Sequence, residues 1–126
     1  MSIPVELPTL ASVASQFGPA AFFVTTGDDG RAHLSHVAVT WVADMLRVDI
    51  GRSGARNSAK RPATVLLWPP IEPGGYSLIV DVIAQACGDH ALLTPERAVL
   101  HRPALPVGDA PVDGGASGGA ESVVGA

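Results

Sequence analysis

The sequence predicts a mainly β protein, a small antiparallel barrel of about six strands with two short helices. Six apolar or alternating segments of strand length follow one another between residues 20 and 101. Several are joined by only a few residues, and such short connections require antiparallel neighbours, because a parallel crossover takes a dozen or more residues. Closing the sheet into a barrel removes its exposed edges. At 126 residues and 47% apolar content, the chain suits one domain with one core.

Two helices and six strands are predicted along the chain. The first helix is predicted at 9–17, where four apolar residues recur at helical intervals and Gly18-Pro19 ends the run. Strands are predicted where the sequence alternates or is continuously apolar: 20–26, 32–42, 45–51, 63–68, 76–87 and within 91–101. A second short helix is predicted at 53–61, with Ser53 as its N-cap.

The composition changes after this region and divides the chain. Residues 1–103 form the predicted barrel domain, and 104–126 are rich in Gly, Ala and Pro, which predicts a disordered tail. No apolar run approaches the roughly 18 residues of a membrane helix, and no secretory signal is recognisable. The single Cys87 cannot form an internal disulfide. We therefore expect a cytoplasmic protein that has no membrane partner.

The most unusual feature is a cluster of positive charge in an acidic chain. Arg52, Arg56, Lys60 and Arg61 are half of the eight Lys and Arg residues, while the formal net charge is −4. On a helix, the first three recur every four residues and share one side. Beside a helix N-terminus flanked by glycines they could bind an anion, most naturally a phosphate. A solvated helix whose cations pair with nearby carboxylates explains the pattern equally well, so both hypotheses stay open.

Three other function classes are disfavoured. Nucleic-acid binding needs a broad positive surface, and this chain offers one short basic face. The segment GRSGA at 51–55 loosely matches a nucleophile elbow around Ser53, but a hydrolase sheet needs parallel strands and crossover helices for which there is no room. His33 and His36 are three residues apart on a predicted strand, so they face opposite sides and cannot chelate one ion. We therefore predict neither a nucleic-acid partner nor a metal.

An ordered series of motifs resembles a known family. The series is TTGDDGRAH on the first hairpin, GRS at the end of the third strand, RN and RP around the second helix, and GGYSLIVD on the fifth strand. Over about residues 9–104 the chain resembles the flavin-binding split barrels related to pyridoxamine 5′-phosphate oxidase. Within them it is most similar to the actinobacterial branch of short flavin or deazaflavin oxidoreductases. The resemblance implies a six-stranded split barrel and a homodimer with the cofactor at the interface.

The resemblance also implies a cofactor site. The phosphate of FMN, or of a deazaflavin cofactor, would lie against the third strand and the following helix. Its implied contacts are Arg52, Ser53, Arg56, Asn57 and Lys60, while the ring would be lined by His36, Val37 and Ala38. Trp68 would close a wall of this pocket, or else serve as an aromatic anchor in the core or the dimer interface. Many members carry an Arg-Lys pair where this chain has Ser53-Gly54. Two alternatives follow: Arg52 and Lys60 supply the missing charge, or the pocket is degenerate and no longer binds a flavin.

The function implied is that of an FMN-dependent oxidoreductase acting on a small molecule that the sequence does not identify. The cofactor would supply the redox chemistry, so no catalytic side chain is predicted. Three alternatives remain open: a deazaflavin-dependent reductase, a non-catalytic cofactor-binding protein, and a structural dimer whose arginines form interface salt bridges.

Overall fold

The computed structural model describes residues 1–104, and this part of the chain is mainly β. The helices are α1 (Leu10–Phe17), which follows a 3₁₀ turn at Leu7–Thr9, and α2 (Arg52–Lys60). The strands are β1 (Ser2–Val5), β2 (Ala20–Thr26), β3 (Ala32–Val42), β4 (Met45–Asp49), β5 (Ala63–Trp68), β6 (Ser77–Cys87) and β7 (His90–His101). The six predicted strands and both predicted helices are confirmed. None of the helices in the described part is long and apolar enough to span a membrane.

Six of the strands close into an antiparallel barrel. Their order is β7-β4-β3-β2-β5-β6, and β6 pairs back onto β7. The added strand β1 lies outside the barrel and pairs with the second half of β7, beyond the stretch that pairs with β4. The sequence did not predict β1, because four residues that include Pro4 carry too little strand pattern. The predicted tail, 104–126, lies outside the described residues except for Ala104.

The barrel interior is built by strict alternation. On β2 the buried residues are Ala21, Phe23 and Thr25, while their neighbours face outward. The interior is completed by large apolar side chains from the other strands, among them Leu46, Val48, Leu66, Trp68, Leu78, Val80 and Leu93. Helix α1 adds Leu10 and Ala14 to this core.

The two helices lie at opposite ends of the barrel. Near α1, the indole Nε1 of Trp68 donates to the carbonyl of Gly18 over 3.1 Å. Near α2, Asn57 donates to the Thr25 hydroxyl, and Arg61 donates to the Thr26 carbonyl. Since β2 runs from Ala20 to Thr26, its first residue is at the α1 end and its last at the α2 end. The basic cluster, formed by Arg52, Arg56, Lys60 and Arg61, therefore lies at the end of the barrel where β2 turns into β3.

Helix α2 starts one residue earlier than predicted, and its N-cap is Gly51 rather than Ser53. The amide of Ile50 still donates to the Asp89 carbonyl, so the chain stays attached to the sheet up to that point. Gly51 then accepts the first helical hydrogen bond, from the amide of Ala55 over 2.9 Å. Ser53 consequently lies inside the first turn, where its side chain cannot act as the cap.

Candidate functional site

A polar cavity of about 430 Å³ lies at the α2 end of the barrel. It is formed between the β2–β3 turn and the first two turns of α2. Its lining combines two guanidinium groups, two carboxylates, a hydroxyl, an amide and an imidazole: Gly27, Asp28, Asp29, Arg31, Ala32, His33, Ser53, Arg56 and Asn57. We call this space the α2 cavity. Three of the predicted phosphate contacts, Ser53, Arg56 and Asn57, are brought together in it.

The start of α2 has no side-chain cap within the described residues. Gly51 has no side chain to offer, and the first turn contains no acidic residue. The first backbone N–H groups of a helix have no intrahelical acceptor and carry the positive end of the helix dipole. This end of α2 therefore offers hydrogen-bond donors beside the cavity.

The basic cluster divides into two halves. Lys60 lies 3.3 Å from Asp28 Oδ2, and Arg61 Nη2 lies 2.6 Å from Asp28 Oδ1. By contrast, neither Arg52 nor Arg56 pairs with a carboxylate in residues 1–104. The carboxylate-pairing hypothesis thus describes the C-terminal half of the cluster, and the N-terminal half is available to an anion. The predicted cofactor contact Lys60 already has a partner in Asp28.

The electrostatics of Asp28 follow from this arrangement. Hydrogen bonds from Arg61 and then from Lys60 hold the pKa of the Asp28 carboxyl below its usual value. The neighbouring Asp29 pairs with Arg31, Nε to Oδ2, over 3.8 Å. Each carboxylate that lines the cavity thus has its own cation. They do not need Arg52 or Arg56 for charge neutralisation.

Asn57 anchors the helix to the barrel. It is 4% exposed, and its Nδ2 donates to the buried Thr25 hydroxyl over 3.2 Å. One residue later, the buried Ser58 hydroxyl donates back to the carbonyl of Gly54 over 2.7 Å. These bonds satisfy polar groups on the buried side of α2 and leave Arg52, Arg56 and Lys60 on its exposed side.

The residues expected to line a ring are separated by strand alternation. His36 and Ala38 are exposed on the outer face of β3, and the His36 ring stacks on Phe22 with centroids 4.6 Å apart. Val37 points the other way and is 8% exposed in the core. Its side chain therefore cannot line a ligand outside the barrel, and only its backbone reaches that face. His33 faces inward, so the expectation that His33 and His36 lie on opposite faces is confirmed.

Trp68 lies at the far end of the barrel from α2. It is 2% exposed, and it borders a different cavity beside Gly18 and Trp41. The six residues of β5 separate it from α2 by roughly 17 Å at about 3.3 Å per residue. This burial is that of an aromatic anchor in the core, and the role of Trp68 in a cofactor pocket stays a prediction.

Sequence reasoning did not assign Asp28, Arg31 or His33 to the site. These residues belong to the hairpin motif TTGDDGRAH, which was used to recognise the fold. Strand pairing could have identified them. Because β2 and β5 are antiparallel, residues that follow β2 lie at the same end of the barrel as α2, which precedes β5.

Among residues 1–104 there is no group of three or more His, Cys, Asp or Glu placed to hold a metal.

Comparison with known proteins adds to this geometry. Uncharacterised proteins of Mycobacterium bovis and Mycobacterium tuberculosis are each 39% identical to this chain over 125 residues, covering 81% of it and 83% of the relative. This chain belongs to the family of these mycobacterial proteins. No protein-family model matches this family member.

Solved structures share the fold of this chain. A candidate pyridoxamine 5′-phosphate oxidase of Listeria innocua superposes with a TM-score of 0.59 at 11% identity, covering 75% of this chain and 96% of that one. The predicted fold, the split barrel of proteins related to pyridoxamine 5′-phosphate oxidase, is confirmed. An F420 reductase aligns at a TM-score of 0.46 and 16% identity, over 68% of this chain and 86% of that one, which is too loose to support an assignment.

Proposed function

We propose that this family member binds FMN and acts as a flavin-dependent oxidoreductase on a small molecule. A deazaflavin cofactor is the alternative, since it also combines a phosphate with a tricyclic ring. The observation that carries the proposal is the uncapped start of α2, flanked by Arg52 and Arg56, which have no carboxylate partner within residues 1–104. This feature lies on a split-barrel fold.

The α2 cavity suits the phosphate of such a cofactor. Backbone N–H groups, the Ser53 hydroxyl and the Arg56 guanidinium all donate hydrogen bonds, and a phosphate ester accepts them. Each charge-assisted contact contributes about 1.5–3 kcal/mol, and a micromolar ligand needs about 8 kcal/mol in all. Arg56, Ser53 and the helix start supply three such contacts in the cavity, which approach this value without Lys60. Arg52 lies outside the lining and adds positive charge at the helix start.

The outer face of the barrel is the place proposed for the ring. His36 and Ala38 are exposed there on β3, and Phe22 supports the His36 ring by stacking. When bound, the flavin supplies the electron transfer. The chain itself holds the phosphate and orients the ring, which agrees with the lack of a predicted catalytic side chain.

We also propose that a second copy of the chain covers this outer face. Cross-strand partners on β3, β2, β5 and β6 form a continuous apolar patch, the outer patch: Phe22, Val24, Leu34, Val65, Leu67 and Ile79. Leu34 is 56% exposed, and the others are half-buried. A contiguous exposed apolar patch beside polar residues is typical of a protein interface. A homodimer would enclose a ring lying at His36.

The central test is an FMN titration of the wild type and of Arg56→Ala. Loss of one charge-assisted contact should weaken FMN binding about 10- to 100-fold. The matched control is Arg102→Ala, because Arg102 follows β7 at the α1 end of the barrel, where its guanidinium stacks on Tyr76. FMN affinity should not change in that variant.

Other outcomes separate the alternatives. A wild type that binds neither FMN nor a deazaflavin would contradict the proposal. If Arg56→Ala weakens dimerisation and leaves FMN affinity intact, the structural-dimer hypothesis holds instead. A bound flavin that stays oxidised with nicotinamide donors would favour a carrier over an enzyme. Tighter binding of the deazaflavin would identify that cofactor.

A further inference from the structure

We propose that His33 contacts the ligand in the α2 cavity and donates its Nε2–H to an anionic group bound there. The inference rests on the proposed function in one respect, that the anionic group is the phosphate of the cofactor. His33 was rejected as a metal ligand from its spacing. Its place in the structure gives it a different use.

The position of His33 is set by the barrel. It is the second residue of β3 and pairs across the sheet with Thr25 on β2. Both side chains face inward, and the Thr25 hydroxyl accepts the hydrogen bond from Asn57 of α2. His33 therefore stands beside the buried contact that joins α2 to the barrel, and it lines the α2 cavity together with Ser53 and Arg56.

The two ring nitrogens of His33 have different surroundings. Nδ1 is shut off from solvent and has no hydrogen-bond partner within residues 1–104. Nε2 is not enclosed in this way, and the residue as a whole is half-buried. An enclosed donor without an acceptor costs about 1–3 kcal/mol, and unpaired N–H groups are rarer than unpaired acceptors in protein interiors. The neutral ring therefore carries its proton on Nε2.

This tautomer makes His33 a directional donor. Because Nδ1 is enclosed, Nε2–H is the ring group left to donate to a ligand in the α2 cavity. Together with the Arg56 guanidinium and the Ser53 hydroxyl, it brings donors from β3 and α2 to one small volume. Several donors that converge from different elements match the multiple acceptor oxygens of a phosphate monoester. His33 thus supplies specificity for the phosphorylated form of a ligand.

The test compares His33→Leu with His33→Gln. Leucine fills a similar volume without a donor, whereas glutamine can place an amide N–H near the position of Nε2. FMN and riboflavin are the ligands, because they differ by the phosphate. We expect His33→Leu to lower FMN affinity about tenfold and to leave riboflavin affinity unchanged, with His33→Gln restoring most of the loss. Unchanged FMN affinity in His33→Leu would overturn the inference.

A spectroscopic measurement on the wild type tests the same inference and does not depend on the folding of a variant. Long-range ¹H–¹⁵N spectra of the imidazoles should place the His33 proton on Nε2, and inorganic phosphate should shift that nitrogen. A proton on Nδ1, or no shift with phosphate, would overturn the inference. If the wild type binds neither flavin, the proposed function fails, and the phosphate titration still decides whether His33 contacts an anion.

Discussion

Ala43 is the only residue other than glycine with a positive φ in the described part of the chain, at 55°. It lies in the tight turn that joins β3 to β4. A side chain in this left-handed region costs about 1–2 kcal/mol, whereas glycine loses about 0.5–1 kcal/mol of backbone entropy. The turn therefore stores strain that glycine would remove.

Ala43→Gly should raise the free energy of unfolding by about 0.5–1 kcal/mol, measured by urea denaturation. The control is Ala11→Gly on the exposed side of α1, where the helical backbone already suits alanine. That variant should be less stable than the wild type. If both substitutions destabilise the protein, the strain that we infer from the φ angle of Ala43 is contradicted.

The β2–β3 turn and α2 are joined by the ion cluster of Asp28, Lys60 and Arg61. Arg61 also donates to the carbonyl of Thr26 over 2.8 Å, so it holds both the turn and the end of β2. The cluster positions the two elements that form the α2 cavity. It also explains why half of the basic stretch is not available to a ligand.

The ion cluster predicts a pH-dependent stability. Because the pKa of Asp28 is lowered in the folded protein, its contribution is present above the unfolded value near 3.8 and is lost as the pH falls through the folded value. Asp28→Asn should therefore be less stable than the wild type at neutral pH, and the difference should disappear in strong acid. Urea denaturation of the wild type and of Asp28→Asn, at pH values from neutral to strongly acidic, measures this difference in stability.

The control for this experiment is Asp29→Asn. Asp29 accepts the amide of Arg31 over 3.0 Å, and an asparagine oxygen can keep that bond. Its ion pair with Arg31 is long and highly exposed, so its loss should matter little. A pH-dependent difference as large as that of Asp28→Asn would contradict the role assigned to the cluster.

The outer patch is the surface of the barrel to which we assign dimerisation. Leu34→Arg should convert the proposed dimer to a monomer, because a buried unpaired charge in an interface costs several kcal/mol. Size-exclusion chromatography with light scattering measures this. Ile71→Arg is the control, since Ile71 is 68% exposed in the loop between β5 and β6, outside the outer patch. A wild type that is monomeric at all concentrations would refute the dimer.

Much of the fold could be predicted because its determinants are local. Alternation along β2 and β4 identifies both the strands and their inward faces, and the short turns between them require antiparallel pairing. The opposite faces of His33 and His36 follow from the same period of two. Strand β1 escaped prediction because its four residues are stabilised by pairing with β7, a contact about a hundred residues away in sequence, as Ser2 and His101 illustrate.

Local sequence patterns were sufficient to predict the barrel, the two helices and a cluster of positive charge on one side of the second helix. Which of these cations pair with carboxylates depends on contacts between distant segments. Barrel closure brings Asp28 to Lys60 and Arg61 across more than thirty positions, and leaves Arg52 and Arg56 beside the uncapped helix start. The physical reason is that side-chain periodicity is a property of neighbouring residues. Ion pairing and cavity formation depend instead on which distant segments share one end of the barrel.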